Sequence, residues 1–169
     1  YTYAYDPMGN KTAVTRQRRG LPQESGLYAY AYDPLGRLTA VAKDGATLRD
    51  YTYDPFSNRA RMTDHRKGST TAYTYDAADR LTASEETTGE GRTRKTYEYD
   101  NRGNLTKELQ EGIPVHSYAY NAMDRLAKAW SHTPDGAVQT ETSYYYNGLG
   151  QRVGKSMYTG AAGRTTGTM

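Results

Sequence analysis

A tetrapeptide that returns seven times restricts the fold of this chain more than any other feature. It reads Tyr-x-Tyr followed by Asp or Asn, and successive fourth positions lie 27, 21, 22, 24, 21 and 26 residues apart. The residues are Tyr3, Tyr5 and Asp6; Tyr30, Tyr32 and Asp33; Tyr51, Tyr53 and Asp54; Tyr73, Tyr75 and Asp76; Tyr97, Tyr99 and Asp100; Tyr118, Tyr120 and Asn121; and Tyr144, Tyr146 and Asn147. Such a period indicates a structural unit that packs on its neighbours along the chain.

Each unit carries two turn signals. One follows the Asp or Asn, and the other is an isolated glycine seven to eleven residues before the next Asp or Asn. These glycines are Gly26, Gly45, Gly68, Gly91, Gly112 and Gly136. The segments between the two signals have the composition of strands, so each unit is predicted to contribute two β-strands of a hairpin array.

The first turn of the unit has the chemistry of a tight hairpin. The segment Asp33-Pro34-Leu35-Gly36 suits a type I turn closed by a residue in the left-handed conformation. That last position is occupied in the seven units by Gly9, Gly36, Ser57, Asp79, Gly103, Asp124 and Gly150. Asp tolerates a positive φ better than most residues, and Ser fits the position less well.

This turn also predicts a register for the two strands that it joins. Residues two apart in a strand share a face, so the tyrosines of a unit lie together and the alanines between them lie on the other side. The predicted opposite pairs are Asp33 with Arg37 as a solvated charge pair, Tyr32 with Leu38, and Tyr30 with Ala40. Leu38 and Ala40 are therefore expected on the tyrosine face.

The residue that follows the turn falls into two classes, which leaves an alternative open. Four units carry leucine, namely Leu38, Leu81, Leu105 and Leu126, and three carry a cation, namely Lys11, Arg59 and Arg152. The cation indicates either a shifted register in those units or a charged group stacked over a neighbouring tyrosine ring.

Tyrosine is the predicted core material. The chain has 18 tyrosines, one Phe and one Trp, and its mean hydropathy is −0.96, so a core of branched aliphatic residues would be thin. Hairpins laid side by side would form an all-β, long antiparallel sheet with a ladder of stacked tyrosines. The right-handed twist of strands would make this sheet curve or spiral.

With the unit defined, the sequence resembles a known family. The segment Tyr30-Ala-Tyr32-Asp33-Pro-Leu-Gly36-Arg-Leu38-Thr resembles the YD repeat, also called the RHS repeat, and the likeness covers essentially the whole chain. The resemblance implies a ribbon of β-hairpins that spirals into a hollow shell. Such repeats are known from bacterial Rhs polymorphic toxins, insecticidal toxin complexes, wall-associated proteins and teneurins.

The resemblance also implies a role and a set of partners. We expect residues 1–169 to form a single array of about seven repeats, cut from a longer bacterial protein that is secreted or lies at the cell surface. The expected partners are neighbouring repeats of that chain, an enclosed C-terminal toxin domain, and a secretion-system or cell-surface partner. The rival function is an adhesin or carbohydrate-binding surface.

The residues themselves predict no enzyme, cofactor or metal site. Asn121 and Asn147 replace the repeated Asp, which favours a turn role because Asn keeps the acceptor oxygen and lacks the charge. No terminal self-cleavage motif is seen, and no nucleophile–base pair is evident. His65, His116 and His132 lack metal-ligand spacing, and the chain has no Cys. Trp130 is expected to pack.

Charge and hydropathy exclude two further classes of function. The net charge of +3 is spread along the chain, which predicts no nucleic-acid partner. No apolar run approaches the ~20 residues that span a bilayer, so this segment is not expected to insert into a membrane.

Overall fold

The computed structural model describes residues 1–160 and 164–165, and these form an all-β chain with one short 3₁₀ helix, Pro22–Glu24. The strands are β1 Thr2–Tyr5, β2 Lys11–Arg16, β3 Gly26–Tyr32, β4 Leu38–Lys43, β5 Ala46–Tyr53, β6 Arg59–Asp64, β7 Ser69–Tyr75, β8 Leu81–Thr88, β9 Gly91–Tyr99, β10 Leu105–Gln110, β11 Ile113–Tyr120, β12 Leu126–His132, β13 Val138–Tyr146, β14 Arg152–Thr159 and β15 Arg164–Thr165.

The strands follow the order of the chain through one sheet, β1 to β15, and neighbouring strands are antiparallel. This arrangement needs only hairpin connections, because consecutive strands are also neighbours in space. The predicted all-β hairpin array is confirmed.

The chain divides into two compact units. The first unit comprises Tyr1–Thr74 with Glu85–Arg92, and it holds β1 to β6 and nearly all of β7. The second unit comprises Tyr75–Ser84 and the chain from Thr93 onward, and it holds β10 to β14. The single array over residues 1–169 stays a prediction.

The hairpin after each tyrosine pair carries one residue more than expected. Tyr32 lies opposite Leu38 as predicted, but Tyr30 lies opposite Val41, so the predicted pair with Ala40 is wrong. The cause is a β-bulge at Thr39, which adds one residue to the second strand. Ala40 therefore lies opposite Ala31 on the alanine face. The same shift occurs at the equivalent place in five other hairpins.

The second turn of two units is a two-residue hairpin with positive φ at both positions. Asp44 and Gly45 have φ of 51° and 85°, and Glu111 and Gly112 have φ of 50° and 82°. Two successive left-handed residues define a type I′ turn, whose twist matches that of the flanking strands. The glycines that sequence analysis marked at these two places are required by this geometry.

The tyrosines are half-buried or, as at Tyr1, Tyr3, Tyr5, Tyr145 and Tyr158, exposed, so the expectation of a tyrosine core needs correction. Val14, with 2% of its surface exposed, is the one fully buried apolar side chain in the part of the chain that the structure describes. Along β3 the tyrosines are half-buried and the intervening alanines are exposed. In β3, the face of the sheet that carries the tyrosines is thus less exposed to solvent than the face that carries the alanines.

Candidate functional site

The repeated Asp holds the first turn through three hydrogen bonds from residues that follow it. In the second repeat, Asp33 Oδ1 accepts the backbone N–H groups of Leu35 at 3.0 Å and Arg37 at 2.9 Å. Asp33 Oδ2 accepts Arg37 Nε at 2.7 Å, which confirms the predicted charge pair, although both side chains are mostly buried rather than solvated. Short polar side chains favour such turns because they replace backbone partners.

All seven turns share this arrangement. In each, the side-chain oxygen of the Asp or Asn, which we call the turn residue, accepts the N–H groups of positions +2 and +4 at 2.8–3.1 Å. Asn121 and Asn147 do so through Oδ1, which explains why Asn can replace Asp. Position +3 has a positive φ in every turn, including Ser57, Asp79 and Asp124.

The second terminal atom of the turn residue bonds to the side chain at position +4, with one exception. Arginine at +4 donates Nε, as at Asp76 with Arg80 at 2.7 Å, and asparagine at +4 donates Nδ2. Asn121 presents an NH₂ group to Arg125 instead, so two donors face each other. The Nε atom of Arg125 is buried, and nothing among residues 1–160 accepts its hydrogen bond.

These hydrogen bonds lower the pKa values of several turn carboxylates, which makes them less suited to acid–base catalysis. The Asn10 side chain lowers the pKa of Asp6, the backbone N–H of Arg80 lowers the pKa of Asp76, and the Asn104 side chain lowers the pKa of Asp100. A general acid or base needs a pKa near its working pH. The geometry therefore favours a structural role for the repeated Asp.

In four repeats the second tyrosine bonds to the preceding repeat. Tyr53 Oη donates to the carbonyl oxygen of Leu38 at 2.7 Å, and the equivalent bonds measure 2.7–2.9 Å. They run from Tyr32 to Lys11, from Tyr99 to Leu81 and from Tyr146 to Leu126. The acceptor is always the residue at position +5, beside the bulge. Since a bulge disrupts the ladder locally, the hydroxyl supplies a partner to this carbonyl.

The leucine and cation classes correspond to two ways of covering a tyrosine ring. In three of the four repeats with leucine at position +5, an arginine at +4 covers the second tyrosine of the following repeat, as Arg37 covers Tyr53 at 4.7 Å; the fourth repeat carries Asn104 at +4. Where position +5 is a cation, it covers the first tyrosine of its own repeat, as Lys11 covers Tyr3 at 5.3 Å. Arg80 and Arg125 follow the first pattern, and Arg59 and Arg152 follow the second.

The open alternative is thereby resolved. Arg59 lies opposite Tyr53 and Arg152 lies opposite Tyr146, the same register that places Leu38 opposite Tyr32. A shifted register is wrong, and a cation over a tyrosine ring is confirmed. The predicted ladder of stacked tyrosines is not supported: among the described residues, the tyrosine–tyrosine ring contacts found are Tyr1 with Tyr3 and Tyr3 with Tyr5, whereas cations lie over the rings of later repeats.

One Ser–His contact escaped sequence analysis, because its members are 15 residues apart. Ser117 Oγ lies 2.8 Å from His132 Nε2, and His132 Nδ1 lies 3.1 Å from the Gly136 carbonyl oxygen. Since a carbonyl only accepts, Nδ1 carries the proton and Nε2 accepts from the serine. Strands β10 and β12 pair with β11 on both sides, so ladder bonds occupy its N–H groups and leave no oxyanion hole.

The remaining polar candidates form cross-strand contacts. Trp130 Nε1 donates to Glu141 at 2.9 Å, in keeping with a packing role, and His65 contacts Asp50 at 2.6 Å in an exposed turn. Within the described ranges, no three His, Cys, Asp or Glu side chains come together as a metal site. A helix of the length and hydropathy needed to cross a membrane is not found among the described residues either.

Comparisons with known proteins agree with this geometry. The model of the teneurin YD-shell family matches residues 2–164. No curated protein matches the sequence. Among solved structures, the crystal structure of TcdB2-TccC3-Cdc42 superposes with a TM-score of 0.65 at 16% identity, over 98% of this chain. The structure of TcdB2-TccC3-TEV gives 0.63 at 17% identity over 94% of this chain.

A third similar structure is the Tc holotoxin pore of Photorhabdus luminescens carrying a TccC3 mutation, with a TM-score of 0.61 at 18% identity over 94% of this chain. At these identities the likeness shows the fold. The chain spans 9% of the length of each of these three solved chains.

Proposed function

Because this chain belongs to the teneurin YD-shell family, we propose that it is a wall segment of a secreted or cell-surface bacterial shell that encloses a C-terminal toxin domain. The family match and the shared fold support the first part of this proposal, that the chain is a structural segment with the YD-shell fold. The toxin cargo and its delivery are the step that we add.

One observation carries the proposal: at four junctions between repeats, the ladder is reinforced by a second bond from a tyrosine hydroxyl. Backbone hydrogen bonds of the sheet join neighbouring strands. In addition, a tyrosine hydroxyl such as that of Tyr53 donates to a backbone carbonyl of the preceding repeat. A container needs a wall without gaps between its units, and this bond closes the place where the bulge interrupts the ladder. One solved structure with this fold is a Tc holotoxin pore, which supports the toxin cargo that we propose.

The cations that lie over the tyrosine rings argue against the rival function, a carbohydrate-binding surface formed by the row of repeated tyrosines. A stripe that stacked sugars would present free ring faces, whereas arginines and lysines lie over Tyr28, Tyr53, Tyr99 and Tyr146. Cation–π contacts of this kind stabilise the packed state of the ring. We therefore propose that the repeated tyrosines have a structural role in the wall of the shell.

The test is to image the longest natural chain that contains these residues by electron cryo-microscopy and to digest it with a protease. We expect a closed cavity and a C-terminal domain that resists cleavage until the wall is unfolded by denaturant. An open filament without a cavity, or a C-terminal domain cleaved as fast in the intact protein as when isolated, overturns the proposal.

A further inference from the structure

A basic cleft lies on the tyrosine face of the first unit. It has a volume of about 390 Å³ and is lined by Arg16, Gln23, Tyr28, Lys43, Arg49 and Arg66, among others. We propose that this basic cleft binds an acidic oligosaccharide, a ligand of two or three sugars bearing carboxylate or sulfate groups. The proposal is independent of the toxin cargo.

The cleft is built where the repeat is interrupted. The spacing of 27 residues between Asp6 and Asp33 is the longest in the chain, and the extra residues include the 3₁₀ helix Pro22–Glu24. The carbonyl oxygen of Gln23 in this helix accepts Lys43 Nζ at 2.7 Å. The extra residues, with the 3₁₀ helix Pro22–Glu24, therefore form one side of the cleft, and this repeat differs from the others in having them.

The lining has an excess of positive charge. Four cationic side chains line the cleft and no carboxylate does. Asp64, almost fully buried, pairs with Arg49 at 2.8 Å and neutralises one of them. No ion pair to Arg16, Lys43 or Arg66 is found among residues 1–160, which leaves three uncompensated charges.

The geometry of these cations suits carboxylate and sulfate groups. The Arg16 guanidinium lies over the Tyr28 ring at 4.2 Å, which holds its plane and leaves its N–H groups available. Lys43 uses one of its three N–H donors on Gln23. A planar guanidinium bonds two oxygens of one anion at once, and such charge-assisted bonds are stronger than neutral ones. The volume lies within the range of small-molecule sites.

The same contacts disfavour two other anionic partners. A peptide commonly binds a sheet by adding a strand at a free edge, but β3 and β4 below the cleft are paired on both sides. Single-stranded nucleic acid stacks bases on successive free rings, but of the two tyrosines that line the cleft, Tyr28 and Tyr30, the first has both Arg16 and Lys43 over its ring. A saccharide is recognised by side-chain donors and acceptors, which the cleft supplies.

The test measures binding of a sulfated uronate-containing disaccharide to the whole chain by isothermal titration calorimetry. The neutral disaccharide of the same backbone, an acidic peptide and a short single-stranded oligonucleotide are titrated in parallel. We expect saturable binding of the acidic disaccharide alone. Arg16→Gln and Arg66→Gln should each weaken it by about tenfold, the usual effect of losing a charge-assisted bond.

The matched control is Arg92→Gln, because Arg92 belongs to the same unit, is 73% exposed and lies outside the cleft. Its affinity should equal that of the parent chain, and thermal unfolding of all variants checks that the fold is retained. Absent binding, equal affinity of Arg16→Gln and Arg92→Gln, or tighter binding of the peptide or oligonucleotide, overturns the proposal. None of these results bears on whether the chain is part of a shell.

Discussion

At the scale of single residues, Asp and Asn are equivalent for the turn backbone but differ in what they offer position +4. Either side chain accepts the same two backbone N–H groups, as Asp33 and Asn121 do. Only Asp offers a second acceptor, and Arg37 uses it. The Asn121 turn therefore keeps its shape while the Nε atom of Arg125 stays buried without an acceptor.

Asn121→Asp should stabilise the protein by supplying the missing acceptor to Arg125. A hydrogen bond to a charged group contributes more than a neutral one, and relieving a buried unsatisfied donor adds to it, so we expect about 1 kcal/mol more free energy of unfolding at pH 7. The measurement is urea-induced unfolding followed by circular dichroism.

The matched control is Asn147→Asp, whose position +4 residue is Gln151 and not arginine. It changes the same side chain in the same turn geometry, and the Gln151 amide can rotate to donate its NH₂ to the new carboxylate in place of accepting from Asn147, so we expect a change within about 0.5 kcal/mol. If the two substitutions altered the free energy of unfolding equally, the pairing with Arg125 would have no special part in stability.

At the scale of the hairpin, the position +5 carbonyl links one repeat to the next. Three features meet there: the bulge that interrupts the ladder, the tyrosine hydroxyl that bonds the carbonyl, and the cation that covers the ring, as at Leu38, Tyr53 and Arg37. Burial raises the pKa of Tyr53, which keeps its hydroxyl protonated as a donor.

Tyr53→Phe should destabilise the protein by removing this bond while leaving the ring in place. The carbonyl of Leu38 would lose its partner in a half-buried position, and the expected loss is about 1 kcal/mol of the free energy of unfolding. Urea unfolding measures it, with Tyr73→Phe as the control because no hydrogen bond from the Tyr73 hydroxyl is found within residues 1–160. An equal loss in both variants would contradict an inter-repeat role for the hydroxyl.

At the scale of the whole molecule, the repeated groups make stability depend on pH at both ends of the range. The folded pKa values of Asp6, Asp33, Asp76 and Asp100 are lowered. Their contribution is complete above the unfolded value of about 3.9 and is lost as pH falls through the folded values. Burial raises the pKa values of Tyr32, Tyr53, Tyr99, Tyr118 and Tyr120. Their contribution is complete below about pH 10 and is lost above it.

The thermal midpoint should therefore be level between about pH 5 and pH 9 and fall on both sides. Differential scanning calorimetry from about pH 2 to about pH 11 measures it, and repetition at high salt separates the turn bonds from overall charge repulsion, which salt screens. A midpoint that rose below pH 4, or an acid loss abolished by salt, would contradict the role of the turn carboxylates.

Local chemistry is what sequence analysis could predict well. The turn bonds join residues at most four apart, and the left-handed position follows from the same few residues, so even the positive φ of Ser57 was predictable. The bulge was not predicted, because its extra residue depends on how two strands and the following repeat pack together. The wrong partner for Tyr30 follows from that omission, and the expected stacking of rings overlooked the cations that cover them.

The sequence by itself determined the hairpin array, its seven turns and the family to which the chain belongs, because these depend on periodic residue types and short-range bonds. Tertiary structure alone decided which cation covers which ring, where the Tyr53 hydroxyl donates, and how the insertion before Asp33 encloses a basic cleft. The contacts of Tyr53 with Leu38 and with Arg37 join residues 15 and 16 positions apart. Their partners are selected by register and side-chain reach, which no local pattern specifies.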